Sequence, residues 1–124
     1  MDWATGRFRL AIAFGGLLLV ASLMPLPQGG GGALPTLVGV AVDKWVHAGS
    51  YAVLTGLLVR GQRRCDLLAV GGAVIIAIAY GTGIEFAQLL VPTRRLSAAD
   101  SLANAVGAVS AGLACVAADA RSTR

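Results

Sequence analysis

Asp43, Lys44 and His47 form one polar group in this chain, Glu85 and Gln88 a second, and Arg94, Asp100 and Asn104 a third. Their types suit the handling of an anion. An arginine fork pairs bidentately with a carboxylate or a phosphate, in a geometry lysine does not match, while lysine adds a point charge. An imidazole beside a carboxylate serves as a general acid or base. His47, with Glu85 or Asp100 as its partner, is therefore the candidate catalytic set. Lys44, Arg94, Gln88, Asn104, Asp43 and Tyr51 are the candidate ligand-binding residues. No nucleophile accompanies them: the chain has no Gly-x-Ser-x-Gly, and neither Ser97 nor Ser101 has an assigned base. A single histidine and no Cys-x-x-Cys pair leave no metal-ligand spacing, so neither a metal nor a cofactor is expected.

The surroundings of these residues make them expensive. Of 124 residues, 56% are hydrophobic and 13% charged, against about 25% charged in soluble domains. The apolar residues are gathered into four runs, Leu10 to Leu26, Trp45 to Val59, Leu67 to Val91 and Ser101 to Ala118. Each approaches the roughly 17 to 25 residues that cross a bilayer as a helix, the second only if its polar ends are included. An all-α, polytopic membrane protein is expected, a single domain over 1–124 with four transmembrane helices at about 8–25, 43–60, 66–91 and 98–118. Ionisable groups inside such segments pair with one another and mark functional sites.

The formal charge of +4 does not point to nucleic acid, because the ten Lys and Arg residues stand in small groups at segment ends and not along one face. They read as topology signals. With Arg7, Arg9, Arg60, Arg63, Arg64, Arg121 and Arg124 on the cytoplasmic side and Lys44, Arg94 and Arg95 outside, the bias is seven to three. Both termini are then cytoplasmic, in a bacterial inner membrane. A cleaved secretory signal at the N-terminus is disfavoured by the poor small-x-small site around Met24-Pro25-Leu26-Pro27. Cys65 and Cys115 both fall near the reducing side, so no structural disulfide is expected.

Local signals set the helix ends. Pro25 and Pro27 end the first helix and the Gly-rich 28–34 stretch reads as a flexible connection. Pro35 to Val42 is apolar enough to lie at the interface. Asp43 suits a helix N-terminus, and His47, Ser50, Tyr51 and Leu54 continue its face. Asp66 caps the third helix and Pro92 stops it; Ser97 with Asp100 resembles a capping box for the fourth. The small residues Ala103, Gly107, Ala108 and Gly112 suggest that this fourth helix is central. Alternating helix directions then bring all the polar groups to the outer third. Against a functional site stand simpler roles: a register-fixing ion-pair network for Glu85, Arg94 and Asp100, interfacial anchoring for Trp45 and Tyr51, and capping for Asp43 and Asp100.

The motifs Asp43-Lys44-x-x-His47-x-x-x-Tyr51-x-x-Leu54, Tyr80-Gly81-x-x-x-Glu85-x-x-Gln88-x-x-x-Pro92-x-Arg94 and Asp100-x-x-x-Asn104-x-x-Gly107 resemble those of the VanZ-like family of small bacterial membrane proteins. The likeness covers roughly residues 40 to 112. Thr93 stands where that family usually has glycine, and Ala48 where an aromatic often follows the histidine. The resemblance implies a cell-envelope role, linked through the family's name to glycopeptide (teicoplanin) resistance, without implying a defined reaction. The expected partner is a membrane lipid, either an anionic phospholipid or a polyprenyl-phosphate-linked precursor. The alternatives are an enzyme acting on such lipids, or a helper subunit whose small-residue faces dock a membrane protein or a second copy. A four-helix transporter has no visible repeat or broken helix to support it.

Overall fold

A computed structural model describes residues 3–25 and 33–124, with the side chains of residues 3 and 4 left aside. Most of the Gly-rich connection lies outside the described residues. Four helices follow one another, α1 (Trp3–Leu23), α2 (Val42–Gln62), α3 (Leu67–Gln88) and α4 (Ala98–Ser122), with a two-stranded hairpin, β1 (Thr36–Leu37) and β2 (Val40–Ala41), before α2. Three helices are long and apolar enough to cross a membrane: Thr5–Leu23 in α1, then α3 and α4. α2 does not meet that standard, because Asp43, Lys44, His47, Arg60 and Gln62 dilute its apolar stretch. Four spans were expected, and apolar composition supports three.

The caps explain the helix starts. The Asp66 carboxylate accepts a hydrogen bond from the Ala69 amide (3.1 Å) at the head of α3, and Ser97 Oγ accepts one from the Asp100 amide (3.3 Å) at the head of α4. At α2 the cap residue is Ala41, whose methyl group makes no capping hydrogen bond, and Asp43 in the first turn bonds Lys44. α3 stops at Gln88, three residues earlier than expected. The amides of Leu89, Leu90 and Val91 each bond the carbonyl three residues back, a tightened last turn forced by Pro92, which disfavours helical conformation at the residue before it.

The Pro35 to Val42 segment forms the hairpin. Val38 (φ 54°) and Gly39 (φ 75°) both adopt positive φ, the pattern of a tight two-residue hairpin turn. Trp45 Nε1 donates to the Leu37 carbonyl (3.1 Å), fastening the hairpin to α2.

α2, and not α4, is the centre of the bundle. It packs on α1, α3 and α4, most extensively on α4. Its polar stripe needs cover on several sides, so enclosure by three apolar helices is what makes α2 compatible with this fold. The small residues of α4 serve that packing: a Cβ at Gly107 would lie 2.6 Å from the Ala48 carbonyl carbon, and one at Gly112 2.8 Å from Val74. Tyr51, Leu54, Ala77 and Ala108 form one buried core, with Val59, Val70 and Ala73 a second toward the other end. There Cys65 and Cys115 are joined by a disulfide, with Cα atoms 5.9 Å apart. This overturns the expectation of two unlinked thiols: packing places the α2–α3 connection beside the last turns of α4, a proximity that 50 residues of separation conceal.

Candidate functional site

The three polar groups meet at one end of the bundle. Asp43, Lys44 and His47 come from the first two turns of α2, Glu85 and Gln88 from the last turn of α3, Arg94 and Arg95 from the α3–α4 connection, and Asp100, Ser101 and Asn104 from the start of α4. α2 and α4 start at this end while α3 finishes there, so the antiparallel order brings sequence-distant side chains together.

Hydrogen bonds link Ser101, Glu85, Asn104 and His47 in one chain and Asp43, Lys44 and Asp100 in another. Ser101 Oγ donates to one oxygen of Glu85, and Asn104 Nδ2 donates to the other (3.3 Å). Glu85 and Asn104 are each only 4% exposed. The Asn104 carbonyl oxygen faces His47 Nδ1 at 3.1 Å. That oxygen can only accept, so Nδ1 carries the proton. His47 Nε2 is thereby left as the nitrogen able to gain a proton, 3.7 Å from Asp100 Oδ2. Lys44 donates to both Asp43 and Asp100 and ties the two carboxylates to one ammonium. Both oxygens of the buried Glu85 carboxylate are thus satisfied, which is what makes burying it tolerable.

Arg94 does not join the carboxylates. Its Nε donates to the Met24 carbonyl (3.1 Å), and its Nη2 to Met24 (3.0 Å) and Ala21 (3.3 Å), at the end of α1. Gln88 Nε2 reaches the neighbouring Ser22 carbonyl (3.1 Å). These are orphan carbonyls of a helix's last turn, which attract donors. A three-way network of Glu85, Arg94 and Asp100 is therefore replaced by two separate systems. Tyr51 lies apart from both: it is buried in the core against Gly81, where a Cβ would come within 2.7 Å of its ring.

Asp43, His47, Gln88, Thr93, Arg94, Arg95 and Asp100 line a cleft of about 330 Å³. Among the described residues, neither Arg94 nor Arg95 forms an ion pair, whereas Asp43 and Asp100 are both engaged by Lys44. The free positive charge of the cleft thus sits on its arginine side. On the other side, the enclosed Oδ1 of Asp43 has no hydrogen-bond partner among the described residues. The cleft can hold an anion beside a group that donates a hydrogen bond, with His47 between them. Among the described residues no group of three or more His, Cys, Asp or Glu side chains could hold a metal.

Ser101 is the participant that sequence reasoning missed. It lies three residues before Asn104, on the same helix face, and that spacing was the available signal. No family model, curated protein or solved structure matches this chain.

Proposed function

We propose that this protein is a VanZ-like, four-span protein of the bacterial inner membrane with both termini in the cytoplasm. In this reading its polar cleft binds an anionic lipid or a lipid-linked cell-envelope precursor in the outer leaflet. The observation that carries the reading is the division of labour among the charges. Lys44 is consumed by two carboxylates and Glu85 by Ser101 and Asn104, while Arg94 and Arg95 border the cleft without an acid partner. Arginines at headgroup depth call for an anion, and a phospholipid or polyprenyl phosphate is the anion present there. Asp43, with its unmatched oxygen, suits a headgroup that also carries a hydroxyl or amine. A role in glycopeptide (teicoplanin) resistance would follow if that ligand is a cell-wall precursor.

The test is lipid retention by the full chain purified in mild detergent, read by mass spectrometry. Phosphate-bearing lipid should co-purify with the unaltered protein, and the amount retained should fall in Arg95→Gln and in Arg94→Ala. Arg94→Lys should recover little, since lysine cannot hold both the α1 carbonyls and a phosphate. Unchanged lipid content in these variants counts decisively against the reading.

A second reading, an enzyme acting on the same lipids, is favoured by one observation: His47 presents Nε2 as a proton acceptor beside Asp100. Incubation with labelled polyprenyl-phosphate lipid and a search for altered product separates turnover from binding.

A further inference from the structure

The end of the bundle opposite Lys44 carries a second cleft, about 510 Å³ in volume, lined by Gly6, Arg7, Arg9, Leu10, Arg60 and Arg63. Four of these six residues are arginines and none is an acid. Arg9, Arg60 and Arg63 form no ion pair among the described residues. Of the described carboxylates, Asp66 bonds Arg64 (2.8 Å), and Asp119 lines an adjoining cleft with Arg60, Arg63 and Arg64.

This arrangement is built, since the two helices that supply the arginines are locked together. Arg7 Nη2 donates to the Gln62 carbonyl (2.9 Å), and α1 lies so close to α2 that a Cβ on Gly61 would meet the Phe8 ring and come 3.2 Å from the Arg7 carbonyl oxygen. Arg63 ends α2 in the left-handed conformation (φ 56°), its amide bonding the Val59 and Arg60 carbonyls. Glycine or asparagine takes that conformation with least strain, yet a cation occupies it.

We infer that this cleft is a binding site for the phosphate headgroup of an anionic phospholipid, best filled by one carrying two phosphates. The guanidinium groups of Arg9, Arg60 and Arg63 in one concavity repel one another unless an anion lies between them, and their planar forks match phosphate oxygens. The cleft lies between the end of α2 and the start of α1, a helix long and apolar enough to cross a membrane, so it faces the headgroup layer bordering that end. Basic pockets between such helices take doubly charged lipid headgroups in this way.

The test uses the full-length protein in detergent, with binding read by native mass spectrometry for three probes: diphosphatidylglycerol, phosphatidylcholine and inorganic diphosphate. Arg60→Gln combined with Arg63→Asn keeps the left-handed turn while removing two charges. Each arginine near the surface is worth about fivefold, so this variant should lose about 25-fold in affinity for diphosphatidylglycerol. Arg121→Gln with Arg124→Gln removes equal charge from the exposed end of α4 and should change binding less than about twofold. Arg9→Gln, which touches neither helix end, should lose about fivefold and keeps the test decisive if the double variant does not fold. Arg94→Ala should leave this site intact, separating it from the cleft at the other end. Equal losses in the two double variants, no loss in either, or diphosphate binding as tight as the lipid would overturn the assignment.

Discussion

Replacing Gly107 by alanine tests how the candidate site is held together. The added methyl would lie 2.6 Å from the Ala48 carbonyl carbon and 2.8 Å from its Cα, and both atoms belong to a helix backbone that cannot rotate away. Restoring ordinary carbon–carbon contact requires α2 and α4 to part by about 1 Å. Overpacking of this kind costs about 1–3 kcal/mol. The damage reaches the site, because Ala48 follows His47 and Gly107 lies one turn after Asn104. A 1 Å separation would stretch the 3.1 Å His47–Asn104 hydrogen bond beyond useful length. Thermal unfolding of the purified protein, followed by circular dichroism, should show a loss on the order of 10 °C, accompanied by loss of bound lipid. Gly49→Ala is the control, since a Cβ there meets nothing within 4 Å; it should stabilise α2 by about 0.5–1 kcal/mol. If Gly107→Ala unfolds at the parent temperature and keeps its lipid, the close approach of α2 and α4 does not set the site's geometry.

The Ala69 amide, followed by the Arg64 guanidinium, holds the Asp66 carboxyl below the usual carboxylate range. Its contribution should therefore be complete above about pH 4, the unfolded value, and fade as pH falls through the lower folded value; the difference in unfolding temperature between the parent and Asp66→Ala should shrink over that range, and a constant difference would show that the charge is immaterial. Cys65 and Cys115, joined in the structure, report the topology: if the arginine end faces the cytoplasm, the reducing compartment should hold the bond open, so that both are alkylated in growing bacteria only by a membrane-permeant reagent, and the bond should form once membranes are isolated in air. A pair found oxidised in growing cells would place that end outside.

Much of this fold is legible in the sequence because its signals are local. Asp66 and Ser97 announce the starts of α3 and α4 by side-chain chemistry that acts within three residues. The meeting of Asp43, His47, Glu85, Asp100 and Asn104 at one end also follows from spacing and alternating helix direction. Identity of partners is another matter. Arg94 bonds main-chain carbonyls, which every residue possesses and no sequence pattern distinguishes, whereas charge alone points to a carboxylate. Small residues in α4 correctly mark close contact but not which helix is enclosed. That depends on which polar stripe most needs cover, and α2 carries it. Cys65 and Cys115 illustrate the same limit, since only the packed bundle makes them neighbours.

α1 is held to its neighbours in an unusual currency. Tyr80 donates to the carbonyl of Gly15 (2.6 Å), Gln88 to that of Ser22, and Arg94 to those of Ala21 and Met24. These anchors seize peptide groups of α1 and of Met24 just beyond it, while at the opposite end the Arg7 side chain adds a tether of its own to the Gln62 carbonyl. Leucine, valine or isoleucine can therefore trade places along its greasy outer surface without loosening a single polar tether. Kinship with distant relatives is best sought in the other three helices, whose side chains are tied to one another by name.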